Sequence, residues 1–319
     1  MKAIVSTSAN PFHYGHLDIF NKAKQIFNDV QVVIAQNPNK ANTQDLQFHL
    51  NAYNIPYVII NEQTVADYCA ENNITHIVRG IRNGVDAEYE LKLDFANKEI
   101  NPNIQTIFIP TSDLYSNISS STIRELLKYK KYDIVKKYMN EDAMWRYVNQ
   151  KPTYTIYFGQ SCVGKSTYIN YCACYGLRVT DCDGYIWNIL ESYNDKETIE
   201  RYKDHAKTIV YSNSSALDRM KQLNNWFNVV LTEQFWDLFF DFKYKHDDTI
   251  KLDWAAVGLY YNHIPIKYRS QCEFIELTCS EEERKKRIQS KGFIDKIDKL
   301  DQLYQQPLII DKTIDISTY

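Results

Sequence analysis

The chain has 319 residues, 44% hydrophobic and 24% charged, enough for two domains that each bury a core of their own. A formal net charge of −3 offers no polyelectrolyte attraction to nucleic acid or an anionic membrane, and no run approaches the ~18 apolar residues that span a bilayer. Met1 to Val5 enters a strand-like segment with no leader, and seven cysteines form no CxxC pair, so the reading is a cytoplasmic protein with reduced thiols and no zinc site.

In chain order, Lys2 to Ser6 reads as a buried strand, Leu17 to Phe27 as an amphipathic helix and Val30 to Ala35 as a second strand, which makes a βαβ unit. The alternation continues with Val65 to Asn72 (helix), His76 to Arg79 (strand), Glu88 to Glu99 (helix), Thr106 to Ile109 (strand) and Ser121 to Tyr129 (helix). Periodicity fails from Met144 through Gln150-Lys151-Pro152 and restarts at Tyr154 to Phe158, which sets expected domains at 1–150 and 151–319. In the second half, strand, glycine loop and helix are followed by Arg178 to Thr180 (strand), an aromatic-rich helical stretch over 185–250, Phe274 to Leu277 (strand) and the charged helix Glu281 to Lys291. The aromatics Trp226, Phe227, Phe235, Trp236, Phe239 and Phe240 read as helical core. The fold class is α/β: an N-terminal Rossmann-like doubly wound parallel sheet and a C-terminal P-loop α/β domain.

Glycine is scarce, nine residues against a usual ~7%, so its positions carry information. Gly15 lies in His13-Tyr14-Gly15-His16, where a strand passes into a helix and helix N–H groups and two imidazoles can converge on a polyphosphate. Gly80 lies in Val78-Arg79-Gly80-Ile81-Arg82, two arginines at the end of a strand, and Ile118 to Glu125 opens another helix with a serine run. Open parallel sheets bind ligands outside the carboxyl ends of their strands, where all three segments meet.

These residues resemble the phosphopantetheine adenylyltransferases of coenzyme A synthesis over roughly residues 1–148. Ile77-Val78-Arg79-Gly80-Ile81-Arg82 with Asp86-Ala87-Glu88-Tyr89-Glu90-Leu91 is similar to that family's IVRGLR…DFEYEL signature, and Asn37 to Lys40, Tyr115 to Ser121 and the HxGH turn lie in matching order. The resemblance implies attack by 4′-phosphopantetheine on the α-phosphorus of ATP, with Mg²⁺ neutralising the triphosphate. It implies that His13 and His16 meet the phosphates and that His16 stabilises the reacting one. Lys40 would hold the attacking phosphate, and Ser8, Val65 and Arg79 would line the acceptor side. Ser8 also borders ATP, which Gly80, Ile81, Arg82, Glu90, Tyr115, Ser116, Asn117, Ile118, Ser119, Ser120 and Ser121 would hold. The family's glycine, aromatic and aspartate before the proline are here Thr7, Ala9 and Asn10; His13 replaces a frequent threonine and Arg124 a frequent lysine.

Gly159-Gln160-Ser161-Cys162-Val163-Gly164-Lys165-Ser166-Thr167 satisfies G-x-x-x-x-G-K-[ST] between a strand and a helix. Backbone N–H groups of Cys162 to Thr167 cradle phosphate, Lys165 bridges phosphates and Ser166 can ligate Mg²⁺. Asp181-Cys182-Asp183 places two carboxylates after the next strand, one able to take a proton from a hydroxyl and the other to support substrate or metal. This DxD spacing resembles the DADxIA motif of dephospho-coenzyme A kinases, which implies Asp183 as base and Asp181 at the substrate; Arg287 and Lys291 read equally as a basic lid on the triphosphate or as part of a solvated basic helix. Ser280 to Arg287 and Asp311 to Asp315 add looser matches.

Together the two halves imply the last two steps of coenzyme A synthesis, with ATP, 4′-phosphopantetheine and dephospho-coenzyme A as substrates and no nucleic-acid or membrane partner; self-association is left open. Two other readings stand beside it. One is a nicotinamide mononucleotide adenylyltransferase joined to a ribosylnicotinamide kinase, whose acceptor needs an aromatic clamp; the other is a nucleotide-binding regulatory module with one degenerate site.

Overall fold

The computed structural model describes residues 1–35, 46–174, 179–241, 250–291 and 294–317. It divides into two compact units, Met1–Gln150 and Lys151–Tyr319. Among the described residues no helix is long and apolar enough to cross a membrane.

The first unit contains strands β1 (Lys2–Thr7), β2 (Asp29–Ala35), β3 (Tyr57–Ile60), β4 (His76–Ile81) and β5 (Gln105–Pro110), paired in the order β3-β2-β1-β4-β5. Every pairing is parallel. The connecting helices are α1 (Tyr14–Ile26), α2 (Leu46–Leu50), α3 (Val65–Glu71), α4 (Gly84–Ile100), α5 (Ser120–Lys128), α6 (Tyr132–Val135) and α7 (Glu141–Asn149). Strand order reverses between β1 and β4, so a crevice opens at their carboxyl ends. Alternation along the strands sends Ala3, Val5, Val32 and Val78 to one face, against Ile19, Phe20 and Ala23 of α1, and Ile4, Val33 and Ile77 to the other, against Ala66 and Cys69 of α3.

Helices α1 and α4 begin three or four residues earlier than their apolar periodicity predicts. The reason is capping: His13 accepts the Gly15 N–H and Asn83 the Asp86 N–H, which carries helical geometry back through polar residues. The HxGH turn is therefore the first turn of α1 rather than a loop before it.

The second unit pairs β6 (Tyr154–Phe158), β7 (Val179–Asp181), β8 (Ile250–Asp253), β9 (Cys272–Thr278) and β10 (Lys312–Asp315) in the order β10-β9-β6-β8-β7, again all parallel. Its helices are α8 (Lys165–Cys174), α9 (Cys182–Glu191), α10 (Lys196–Val210), α11 (Ala216–Val230), α12 (Glu233–Phe239), α13 (Val257–Tyr260), α14 (Ile266–Arg269), α15 (Glu281–Lys291) and α16 (Ile294–Asp301). Phe235, Trp236, Phe239 and Phe240 are buried with Trp254 in a continuous aromatic core. Trp226 departs from the core reading, because its ring faces a cavity.

Candidate active sites

In the first unit, the carboxyl ends of β1 and β4 and the start of α5 enclose a cavity of about 320 Å³. Ser8, His13, His16, Arg79, Gly80, Arg82, Glu90, Tyr115, Ile118, Ser119, Ser120 and Ser121 all line it. An adjoining cavity of about 310 Å³ shares Ser8, Arg79 and Glu90 and adds Val65. Ile81 ends β4, and Ser116 and Asn117 form the turn before α5; none of the three lines either cavity. Lys40 lies outside the described residues.

The two imidazoles are held by backbone. His13 Nδ1 accepts the Gly15 N–H at 3.1 Å, and His16 Nδ1 accepts the His13 N–H at 3.2 Å. That bonding assigns the proton of each neutral ring to Nε2, leaving two N–H donors available to a phosphate. Burial, then Arg82, lowers the His13 pKa to about 4. Burial also pushes His16 well below its ordinary value, helped by the neighbouring His13, Arg79 and Arg82. Both rings are thus uncharged at neutral pH. A Cβ at Gly15 would stand 2.9 Å from His13 Cε1, so any larger residue there must displace the capping imidazole.

Arg79 forms a fork to Glu90, 2.5 and 2.7 Å, and donates to the Ser6 carbonyl. Arg82 grips Asp86 at 2.6 and 3.0 Å and donates to the Ile118 carbonyl at 3.1 Å, tying the end of β4 to the serine turn. Ser119 caps α5 by accepting the Thr122 N–H, so its hydroxyl has a structural task beside any contact with ligand. Thr7, where the resembled family has glycine, lines both cavities and accepts the Ala9 N–H at 3.2 Å.

In the second unit the glycine loop 159–164 joins β6 to α8. Gly159 has φ +156°, and a Cβ there would lie 2.3 Å from the Leu277 carbonyl oxygen, so only glycine fits. Val163 packs into the core with Tyr157 and Leu277, while Cys162 and Gly164 take positive φ and turn the loop. Lys165 Nζ donates to the Gly159 and Gln160 carbonyls at 3.2 and 3.4 Å, folded over the loop it serves. Ser166 and Thr167 are exposed in the first turn of α8. Arg287 donates to the Val163 carbonyl and to Glu283, which places this lid candidate on the glycine loop; Lys291 ends α15.

The two DxD carboxylates differ in task. Asp181 caps α9, its oxygens accepting the Asp183 and Gly184 N–H groups at 3.2 and 3.4 Å, whereas Asp183 opens onto a cavity. Burial, then Asp181, raises the Asp183 pKa against the opposing pull of Lys165. A third carboxylate, Asp253, was not anticipated from the sequence. It ends β8 in register with Asp181, its Oδ1 is buried without a hydrogen-bond partner, and burial lifts its pKa to about 6 with Asp181 and Asp183 adding to the effect. The signal was present in Ile250-Lys251-Leu252-Asp253, an acid ending a strand beside the P-loop strand, but four residues with two apolar positions make a weak strand pattern. A Mg²⁺ ion needs only one or two protein oxygens beside phosphate and water, so Ser166 and Asp253 fit such an ion.

The cavity facing Asp183 measures about 350 Å³. Gly159 and Ser161 of the glycine loop border it, Trp187, Trp226, Phe227 and Tyr260 form aromatic walls, and Leu303, Tyr304 and Gln305 line it as well. Among the described residues no Lys, Arg or His lines it.

The cytidylyltransferase-like family matches residues 4–126. A phosphopantetheine adenylyltransferase of Staphylococcus carnosus (strain TM300) is 34% identical over 136 residues, 40% of this chain and 84% of that protein. The phosphopantetheine adenylyltransferase of Streptococcus uberis (strain ATCC BAA-854 / 0140J) is 34% identical over 134 residues, 40% of this chain and 81% of that protein. Among solved structures, NadR protein in complex with NR aligns over 99% of this chain and 90% of its own at 13% identity and a TM-score of 0.32. Thermotoga maritima TmcAL bound with alpha-thio ATP aligns over 47% and 56% at 15% identity and a TM-score of 0.34. Through its first unit, the chain belongs to the phosphopantetheine adenylyltransferase family of nucleotidyltransferases.

Proposed function

We propose that the first unit transfers the adenylyl group of ATP to 4′-phosphopantetheine, and that the second unit uses another ATP to phosphorylate a ribose hydroxyl of the dephospho-coenzyme A so formed. What carries the first half is the Arg79–Glu90 fork set in one cavity with the two neutral imidazoles and the Arg82–Ile118 tie. The acceptor phosphate attacks the α-phosphorus and pyrophosphate leaves, with no covalent intermediate. Positioning and charge stabilisation do the work. His16 donates its Nε2–H to an α-phosphate oxygen as charge builds there, an interaction of the kind whose loss costs ~10²–10³ in rate. Arg82 holds the departing phosphates and Lys40 the attacking one. Mg²⁺, when bound, neutralises the triphosphate.

In the second unit, Lys165 bridges the transferring phosphates and Asp183 accepts the hydroxyl proton. Ser166 and Asp253 would hold Mg²⁺. The raised pKa of Asp183 suits a base better than an ordinary carboxylate does, because it shifts the group toward the operating pH.

One observation favours a second reading of this acceptor. Dephospho-coenzyme A carries an anionic diphosphate, yet the described lining of the cavity has aromatic walls, a carboxylate and no cation. A nucleoside without phosphate, above all one with a cationic ring, gains from the same walls. That acceptor is ribosylnicotinamide, and the first unit would then adenylylate nicotinamide mononucleotide. The deciding experiment supplies the full chain with ATP and Mg²⁺ plus each of the four acceptors in turn, and quantifies pyrophosphate and ADP separately. Pyrophosphate formed with nicotinamide mononucleotide alone overturns the first assignment; neither product with any acceptor leaves the regulatory reading.

A further inference from the structure

We propose that Arg284 is a positioning residue that makes closure of the aromatic cavity depend on nucleotide in the P-loop, so that acceptor is enclosed only after ATP is in place. The inference rests on reading the second unit as a P-loop phosphotransferase. Arg284 stands on α15 and faces two ways. Its Nε donates to the carbonyl of Ser161 in the P-loop at 3.0 Å, and its Nη2 donates to both carboxylate oxygens of Asp301 at 2.6 and 2.5 Å. Asp301 is the last residue of α16, and the chain on either side of it, Leu300 and Leu303 to Gln305, forms one side of the cavity. Ser161 lines the same cavity.

The link is stiff at each joint. The guanidinium is planar with its donors in a rigid fork, so a displacement of the Ser161 carbonyl is passed to Asp301 rather than absorbed along a flexible stem. Beyond Asp301, a Cβ on Gly258 of α13 would fall 1.7 Å from the Gln305 carbonyl oxygen, so the 303–305 segment lies directly on that helix backbone. Tyr304 is tied to Glu276 at 3.0 Å. Buried Arg219 holds the far side, donating to Gln302 at 2.5 Å and to the carbonyl of Val210, another cavity residue. The cavity side is therefore held by Arg284, by Arg219, by the Tyr304–Glu276 bond and by its seat on α13, and of these the one bonded to the P-loop is Arg284. A phosphate cradled by P-loop N–H groups reorients the loop peptides whose carbonyls point the other way, toward Arg284. That motion moves the 303–305 segment, which closes water out of the phosphotransfer site before the acceptor hydroxyl meets the γ-phosphate.

The test uses the full chain, Mg·AMP-PNP as nucleotide and acrylamide quenching of tryptophan, because Trp187 and Trp226 line the cavity while Trp236 and Trp254 are buried in any case. Binding that disappears in Lys165→Ala reports the P-loop site alone. In the wild type, saturating Mg·AMP-PNP is expected to lower the quenching constant about twofold, the size of a modest two-state shift. In Arg284→Lys and Asp301→Asn the Lys165-dependent affinity should stay within about threefold, a coupling change of under 1 kcal/mol, while the quenching change is lost. Asp301→Glu, which keeps the carboxylate, should restore it, and this rescue separates positioning from a general loss of folding. Lys165-dependent binding with no quenching change in the wild type, or an undiminished change in Arg284→Lys, overturns the inference. Absence of any Lys165-dependent binding overturns the phosphotransferase reading and this inference with it.

Discussion

Replacing Asp253 by asparagine should stabilise the second unit while ending its phosphotransfer. The ordinary pKa of this carboxyl is 3.8, and burial holds it at about 6 in the folded chain, Lys165 opposing and Asp181 and Asp183 adding to the rise. Between those values the native state keeps a proton that the unfolded chain has lost. Stability contributed by this group is therefore full below pH ~4, falls as pH rises through ~6 and then levels off. The difference is worth at most about 3 kcal/mol, at 1.36 kcal/mol for each pH unit. Asparagine carries no such charge, so Asp253→Asn should gain up to about 3 kcal/mol at pH 8 and nothing at pH 4, or about 6–12 °C in Tm at the upper value for a unit of this size. Four of the five tryptophans, Trp187, Trp226, Trp236 and Trp254, lie in residues 151–319, so urea unfolding followed by their emission reports mainly on that unit. ADP formation should fall at least about 100-fold as the carboxylate proposed to hold Mg²⁺ is lost. Equal stability of the two proteins at pH 8, or a gain of the same size at pH 4, would refute the account of a carboxylate kept unpaired for function.

Lys165→Ala should abolish ADP formation and leave pyrophosphate formation unchanged, because the lysine serves only the second unit; an unaltered ADP yield removes the P-loop assignment. Since burial keeps His13 and His16 neutral, kcat/KM for adenylyl transfer should show no histidine limb between about pH 6 and 8. A histidine limb near pH 6.5, over and above the ionisation of the acceptor's own phosphate monoester at pH ~6, contradicts the neutral state of the two rings. Arg79→Ala should cost about 3 kcal/mol of stability by leaving Glu90 buried and unpaired, and Arg79→Ala with Glu90→Ala should cost less than the sum of the single changes. Strict additivity in that cycle, read by chemical denaturation, counts against the fork as a coupled pair.

What the sequence determined by itself was everything carried by short-range backbone geometry. The HxGH turn, the glycine loop before Lys165 and the sheet class follow from local residue order, because caps, glycine conformations and apolar period act within a few residues. Arg79 and Glu90 are similarly legible, a strand end and the following helix separated by 11 residues. Even there the periodicity placed helix α1 too late, since His13 and His16 cap it with polar contacts that no apolar pattern records. Only the tertiary structure decided what surrounds the second phosphate loop. Asp181 and Asp253 are 72 positions apart and meet because β8 inserts between β6 and β7. The same packing drew Trp187, Trp226 and Tyr260 from three helices around one cavity, and linked Ser161 to Asp301 through Arg284. Strand order and the seating of helices are set by burial of whole faces, a long-range free energy that a local pattern does not encode.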